Sequence, residues 1–235
     1  MRTGIIIPAY NAGKRLSNVL LKSLNHVPAK HIYVVDDGST DSTADVSVQF
    51  GVVLFQHSKN LGKGEALKSG FRLALSDNLD GVFTIDGDGQ HDPDCIPDFI
   101  RIMKTKHCDL VMGVRSFQVG VMPIDRICSN TLTSTLVSLI VRQRIPDSQC
   151  GYRLIKTSIL HGMRFSSSRY EFETELLIKA AWRGAEIGCV PISLVYGDYH
   201  SHIRRLEDTK RFCSLILRLM KDRAKLKAEA LTLDN

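Results

Sequence analysis

Two carboxylates stand two positions apart in segment 84–93, whose sequence is TIDGDGQHDP. Asp86 and Asp88 follow a short apolar run, residues 82–85, which is typical of a buried strand. In a straight strand they would point to opposite faces, but the glycine after each acid allows positive φ values that turn both toward one point. Mg²⁺ and Mn²⁺ prefer carboxylate oxygens and substrate phosphates. The segment therefore predicts a metal site at Asp86 and Asp88, with Gln90 as a third oxygen ligand.

The same residues also have simpler interpretations. Asp-Gly-Asp-Gly is common turn chemistry, and His91 suits a structural place beside such a turn as well as a place among the ligands. An EF-hand loop is disfavoured because the twelfth position counted from Asp86 is Pro97 rather than glutamate. The remainder of the chain must decide between a turn and a metal site.

Charge is concentrated in one part of the 235-residue chain, whose formal net charge is +6. Residues 203–227 contain nine Lys or Arg and three acids, so 9 − 3 = +6 and this segment accounts for the whole surplus. Such a segment indicates a localised contact with something anionic rather than general nucleic-acid binding. The six cysteines form no Cys-x-x-Cys pair, which argues against zinc ligation and a disulfide framework and favours a reducing, cytoplasmic location.

Short apolar runs rich in β-formers alternate with helical patterns, which predicts an α/β fold with a mostly parallel sheet and helices on both faces. The predicted strands are 4–8, 31–35, 51–55, 82–85, 110–113, 152–155 and 186–190. The predicted helices are 14–25, 42–50, 63–75, 94–104, 125–143, 172–182 and 208–227. Ligands bind such sheets beyond the carboxyl ends of the strands, where the polar, glycine-bearing loops 8–13, 36–41, 56–62 and 86–92 fall.

Four motifs occur in a characteristic order: IIPAYNAG, VVDDGSTDST, NLGKGEALKSG and DGDGQHDP. With them, the chain resembles family-2 glycosyltransferases of the GT-A fold. The segments GVRS, DRICS, DSQCGYRLIK and RYEFETELL are similar to the branch of dolichyl- or polyprenyl-phosphate mannose and glucose synthases. The resemblance covers residues 4–212 and implies a nucleotide-diphospho-sugar donor, Mg²⁺ or Mn²⁺, and inversion at the anomeric carbon.

The resemblance also assigns donor-side residues. Pro8, Tyr10 and Asp37 match positions that hold the nucleoside in the family, although the acids at 36 and 37 also suit a turn and helix cap. Asp86, Asp88 and Gln90 match the metal motif, with Asp88 on the metal and Asp86 on the metal or the ribose. Lys63 is either close to the donor or solvated. Many relatives carry Glu where this chain has Ala12, so the base of the nucleotide stays unassigned.

The acceptor side is implied in the same way. Arg115, Arg126 and Ser129 match positions that grip a lipid phosphate in the family, a task that suits arginine. Ordinary surface positions are the alternative for both arginines. Arg153 and Arg204 or Arg205, close to His202, are further candidates for the diphosphate. A hydroxyl acceptor would instead need a carboxylate base, for which the candidates are Asp147, then Glu173 and Glu175.

These features predict one domain over residues 1–235, with a nucleotide-sugar and metal half (1–115) and an acceptor half (116–235) that ends in a basic amphipathic helix. The leading hypothesis is transfer of a hexose to dolichyl or undecaprenyl phosphate. One alternative is transfer to a glycan or glycolipid hydroxyl in cell-envelope polysaccharide synthesis. Another is that the chain is a nucleotide-sugar binding protein without catalytic activity, and a more remote one is that it is a nucleotidyltransferase.

A polyprenyl-phosphate acceptor would require the chain to contact a membrane. No apolar run approaches the about 18 residues of a spanning helix. Helices 125–143 and 208–227 either lie on an anionic, cytoplasmic membrane face or pack on the core as ordinary helices. A separate membrane-protein partner is a further possibility.

Overall fold

The computed structural model describes residues 1–115, 124–193 and 205–233. Its strands are β1 (Thr3–Ala9), β2 (Ile32–Asp36), β3 (Val53–Gln56), β4 (Gly81–Thr84), β5 (Leu110–Arg115), β6 (Arg153–Lys156) and β7 (Ile187–Ile192). Its helices are α1 (Gly13–Ser23), α2 (Thr43–Gln49), α3 (Lys63–Ser76), α4 (Ile96–Thr105), α5 (Ile124–Val141), α6 (Thr157–Leu160), α7 (Glu171–Trp182) and α8 (Arg205–Leu233). Each predicted helix and strand is present with shifted ends, whereas α6 was not predicted.

The strands form a seven-stranded sheet in the order β3-β2-β1-β4-β6-β5-β7. All neighbours are parallel except β6, which runs antiparallel to both β4 and β5. The predicted mostly parallel sheet is therefore confirmed. Because the chain turns to β2 on one side of β1 and to β4 on the other, a crevice opens beyond the carboxyl ends of β1 and β4, where α/β sheets bind ligands.

Side chains of β1 alternate between two buried layers, as the period of a strand requires. Ile6 belongs to the layer covered by α3, α5, α7 and α8, while Ile5 and Ile7 belong to the layer covered by α1, α2 and α4. All three isoleucines are fully buried. The sheet thus has helices on both faces and lies between two cores.

The apolar stripes of helices α5 and α8 lie in different surroundings. On α8, Leu215 and Leu219 are buried in the core, as ordinary packing requires. On α5 the stripe faces away from the core, because Leu132 and Leu139 are 73% and 71% exposed while Val137 is buried. No helix within the described ranges combines the length and apolar character that crossing a bilayer needs.

Candidate active site

A cavity of about 490 Å³ opens at the carboxyl edge of the sheet, beyond β1, β2 and β4. It is lined by the end of β1, by the loops that follow β1, β2, β3 and β4 and by the start of α3, and its far wall comes from the second half of the chain. The first group is Pro8, Ala9, Tyr10, Ala12, Asp37, Asn60, Gly62, Lys63, Ala66, Asp86, Gly87 and Asp88, and the second is Arg169, Tyr170, Glu207 and Arg211. The predicted donor-side residues Pro8, Tyr10, Asp37, Lys63, Asp86 and Asp88 are therefore brought together, whereas Gln90 is not part of the lining.

The loop after β4 carries both acids into this cavity. Gly89 has a φ of +78°, as the turn requires. Gly87 has no positive φ, so the expectation of a positive φ after each acid was wrong for Gly87. Gly87 instead allows the loop to pass close to β1, because a Cβ there would lie 3.3 Å from the Pro8 carbonyl oxygen. The backbone N–H of Gln90 donates to an Asp88 carboxylate oxygen at 2.9 Å and so fixes the second acid.

Lys63 joins the acid loop to α7. Its Nζ lies 2.5 Å from Asp86 Oδ1 and 3.0 Å from Glu173 Oε1. Burial alone would lower the pKa of Lys63, but the two carboxylates outweigh it and raise the pKa, so the side chain is an ammonium ion. Gly62, with a φ of +102°, precedes α3 and aims its first residue into the cavity. Lys63 is thus held at the site rather than solvated.

The two acids differ in their electrostatics. Burial would raise the pKa of Asp86, but the charge of Lys63 outweighs it and the pKa is lowered. Burial and then the negative charge of Asp86 raise the pKa of Asp88 to about 6. Two carboxylates and one ammonium leave a net negative charge here, which a cation would balance.

The donor set fits a hard cation that also has ligands on a substrate. Within the described ranges, no three or more His, Cys, Asp or Glu side chains are arranged to hold a metal ion. Asp86 and Asp88 would therefore supply only part of its coordination. Mg²⁺ is commonly held in this way, by one or two carboxylates with water and phosphate oxygens completing the shell.

Asp37 and His91 have structural partners at the cavity. The Asp37 carboxylate accepts from the amides of Leu61 and Gly62 at 3.0 and 2.8 Å, and a 2.6 Å hydrogen bond joins it to His57 Nδ1. Asp37 therefore fixes the loop that leads to Lys63, and a contact with the nucleoside stays a prediction. Burial lowers the pKa of His91 to about 4, so the ring is neutral at pH 7, and its Nδ1 accepts from the Asp86 amide at 3.4 Å.

Arg115 is paired with Asp147 at the end of β5. Its Nε and Nη2 donate to the two carboxylate oxygens at 2.6 and 2.8 Å, and Asp147 is fully buried. Burial would lower the pKa of Arg115, but this pairing raises it. The suggestion that Asp147 serves as a base is wrong, because both of its oxygens are occupied.

Two other residues considered for the site belong to the interior. Arg153 is 1% exposed and donates to the carbonyls of Ser148, Cys150 and Glu173, so its suggested contact with a diphosphate is wrong. Glu175 is fully buried, accepts from the amides of the loop before α7 and pairs with Lys179 at 2.6 Å. Its carboxylate is structural.

The rest of the expected acceptor site is only partly described. Ser129 is exposed on α5. The side chains of Arg126 and Arg205, and the whole of His202 and Arg204, lie outside the described residues. Contacts of Arg115, Arg126 and Ser129 with an acceptor stay predictions.

A match to a known protein family covers most of the chain. The family whose sequence model matches residues 4–164 is described as glycosyl transferase family 2. This chain belongs to that family. It is therefore a family-2 glycosyltransferase, as the motifs predicted, and the acid pair lies within the matched segment.

Two relatives with similar sequences and one solved structure with a similar fold agree with the assignment. UDP-N-acetylglucosamine–dolichyl-phosphate N-acetylglucosaminyltransferase of Methanococcus voltae is 31% identical over 217 residues, which cover 83% of this chain and 86% of that protein. Undecaprenyl-phosphate mannosyltransferase of Micrococcus luteus is 29% identical, with 83% and 84% covered. Glucosyl-3-phosphoglycerate synthase of Mycobacterium tuberculosis, solved with Mn²⁺, UDP and glucosyl-3-phosphoglycerate, has a TM-score of 0.70 at 20% identity, with 92% and 78% covered. The predicted GT-A fold is confirmed.

One residue of the candidate site, Gly151, was not predicted from the sequence. A Cβ on Gly151 would lie 2.7 Å from Glu173 Oε1 and 2.9 Å from both Asp86 Oδ2 and Lys63 Nζ. Thr84 Oγ1 donates to the Gly151 carbonyl at 2.6 Å and holds this backbone in place. A glycine inside a strand often marks such a close approach, but Gly151 lies before β6, so this signal was missing.

Proposed function

We propose that this enzyme transfers a hexose from a nucleotide-diphospho-sugar to a dolichyl- or undecaprenyl-type polyprenyl phosphate, with inversion at the anomeric carbon. The observation that carries the proposal is the convergence of Lys63, Asp86 and Asp88 in one cavity at the carboxyl edge of the sheet. The two named relatives act on polyprenyl phosphates, and this supports the class of acceptor.

The charges of the cavity favour a donor that arrives with a divalent cation. Lys63, Arg169 and Arg211 contribute three positive charges, and Asp37, Asp86, Asp88 and Glu207 contribute four negative charges, so 3 − 4 = −1. A diphosphate alone would be repelled by this lining. Mg²⁺ or Mn²⁺, held by Asp86 and Asp88 with Gln90 nearby, would supply Lewis-acid stabilisation of the leaving diphosphate. Lys63, which lines the same cavity beside Asp86, would bind a phosphate oxygen of the donor.

The state of the nearby carboxylates favours a phosphate acceptor over a hydroxyl acceptor. A hydroxyl needs a base, yet Asp147, Glu173 and Glu175 are each bound to a cationic side chain. A phosphate monoester has a second pKa of about 6 and is largely dianionic at neutral pH, so it attacks without a base. Arg115, with Arg126 and Ser129, would hold that anion in line with the donor, where positioning supplies much of the rate.

The test is transfer from a panel of UDP-, GDP- and dTDP-sugars to a short-chain, water-soluble polyprenyl phosphate, with Mn²⁺ or with a chelator. We expect Asp88→Asn to lower kcat/KM by about 100-fold or more, since it removes charge that holds the cation. Asp98→Asn, at an exposed acid on α4, is the matched control. Full activity of Asp88→Asn with a chelator present refutes the metal site, and preference for a glycan hydroxyl refutes the acceptor.

We also propose that the enzyme works as a peripheral protein at the cytoplasmic membrane face, because the chain of a polyprenyl phosphate is embedded in the bilayer. Helix α5, with its exposed leucines, is a candidate surface for that contact.

A further inference from the structure

Helix α5 exposes an apolar stripe to solvent. Leu132 and Leu139 are 73% and 71% exposed, Leu136 lies between them at 38%, and the three positions share one side of the helix. The side that faces the protein is mixed, since Val137 is buried in the core while Ser134 and Ser138 accept hydrogen bonds from the amides of Ser148 and Ile145. The three leucines therefore lie on the outer face, and an exposed apolar stripe of this kind marks a binding surface.

The composition of α5 separates it from the other surface helices. Residues 127–141 contain no charged side chain, and besides the leucines the exposed positions of this segment include Ser129, Thr131 and Thr135. A solvated helix normally carries charge on its outer side. Leucines mixed with hydroxyls suit the boundary between acyl chains and headgroups, where both kinds of side chain find partners.

Charge complementarity favours an anionic bilayer as the occupant of this face. Arg142 and Arg144 follow α5 directly and are exposed, and no acid occurs from residue 127 to residue 146. Basic residues near a membrane surface contribute about 1 kcal/mol each when the lipids are anionic. A second copy of the chain is a weaker candidate, because stable dimers bury about 1,200–2,000 Å², more than one stripe of three leucines supplies.

We propose that the outer face of α5, formed by Leu132, Leu136 and Leu139 with Arg142 and Arg144 at its end, docks on an anionic lipid bilayer. Ser129 stands one turn before Leu132 on the same face, so docking would bring the expected acceptor-phosphate position to the headgroup level. This link to the acceptor rests on the proposed function, whereas the docking itself does not.

The experiment compares vesicle binding of the full-length protein and a double variant. Leu132→Gln/Leu139→Gln keeps good helix formers at both positions. Leu21→Gln/Val48→Gln is the matched control, since these side chains are 60% and 67% exposed on α1 and α2, across the sheet. Sedimentation uses phosphatidylcholine vesicles with about one quarter phosphatidylglycerol at low salt, and we expect the α5 variant to bind at least about tenfold more weakly.

A second variant tests the charge. Arg142→Gln/Arg144→Gln should bind neutral and anionic vesicles more equally, and salt should weaken its binding less than that of the unaltered protein. Absence of vesicle binding by the unaltered protein, or equal binding by the Leu132→Gln/Leu139→Gln variant, overturns the proposal. A dimer that the same leucine variant dissociates also overturns it, since the face would then be an interface between copies.

Failure of the docking proposal is distinguishable from failure of the proposed function. Transfer to a short-chain, water-soluble polyprenyl phosphate needs no membrane, so the leucine variant should keep its rate there and lose rate only with a long-chain acceptor in vesicles. Vesicle docking without any transfer would refute the polyprenyl-phosphate acceptor and leave the docking surface intact. Equal loss of both activities in the leucine variant would refute a docking role for the stripe.

Discussion

The absence of a side chain at Gly151 leaves the space in which the charged groups of Lys63, Asp86 and Glu173 meet. The three charged groups meet where the backbone before β6 passes under the cavity, and a single additional carbon would fall within 3 Å of each. All three nearest atoms are the ends of flexible side chains, so a larger residue would displace the charges rather than the backbone. The geometry of the site therefore depends on a residue that has no side chain.

Gly151→Ala should separate donor binding from stability. We expect it to lower the affinity for the nucleotide-sugar with Mn²⁺ at least about tenfold, because the Lys63 ammonium and the Asp86 carboxylate must move apart. The melting temperature should change little, since the displaced groups are side-chain ends. Titration calorimetry and thermal unfolding provide the two measurements. A large loss of stability with unchanged affinity would show that the glycine serves the fold alone.

Single residues show how far the sequence predicts this site. Asp86 and Asp88 were predictable because two carboxylates, a strand end and a turn are local features that neighbouring residues define. The pairing of Lys63 with Glu173 was not, because it joins α3 to α7 across the fold and depends on packing. The pairing of Arg115 with Asp147 has the same origin. It removed a candidate base that residue type alone had suggested.

At the scale of elements, α7 is held by a buried carboxylate. Glu175 accepts from the amides of Ser166 and Ser167 and pairs with Lys179 one turn later. Burial alone would raise the pKa of Glu175, but these partners outweigh it and lower the pKa to about 2. Because the folded pKa lies below the ordinary value of 4.5, the stabilisation is present above about pH 4.5 and is lost as the pH falls toward 2.

Glu175→Gln should therefore destabilise the protein in a pH-dependent way. At pH 7 we expect a loss of unfolding free energy on the order of 3 kcal/mol, the equivalent of the pKa shift. The difference from the unaltered protein should shrink as the pH falls from 4.5 toward 2. Urea unfolding at pH 7 and at successively lower pH measures both values, with exposed Glu186→Gln as the control. A difference that stays constant with pH would contradict this origin.

The helices and strands were predictable because β1–β5 and α1–α4 alternate with clear periods and turn residues. Helix α6 escaped because four residues are too few to show a period. The orientation of α5 could not be read from its period, since a leucine stripe marks one side of a helix without saying what covers that side. Only its position above α7 and the segment 145–148 shows that the stripe faces outward.

At the scale of the whole molecule, the two halves of the chain share one sheet. β6, from the second half, lies between β4 and β5 of the first half, and β7 completes the edge beside β5. The cavity at the carboxyl edge of the sheet is likewise lined by Glu207 and Arg211 of α8 together with Asp86 of the first half. We propose on this basis that residues 1–235 form a single domain that unfolds as one cooperative unit.

Trp182, the single tryptophan, provides the test because its fluorescence reports on α7 in the second half. The Cζ atom of Arg223 on α8 lies 4.7 Å from the centroid of its ring. Leu16→Ala removes a fully buried side chain from α1, across the sheet, and should cost about 2–5 kcal/mol. In one cooperative unit the Trp182 fluorescence transition shifts to lower urea by the same amount as the far-UV circular dichroism transition. Leu21→Ala, on the exposed side of the same helix, should shift neither by much. If the Trp182 transition stays in place while the circular dichroism transition moves, the halves unfold separately, because a cavity in one core then leaves the other core intact.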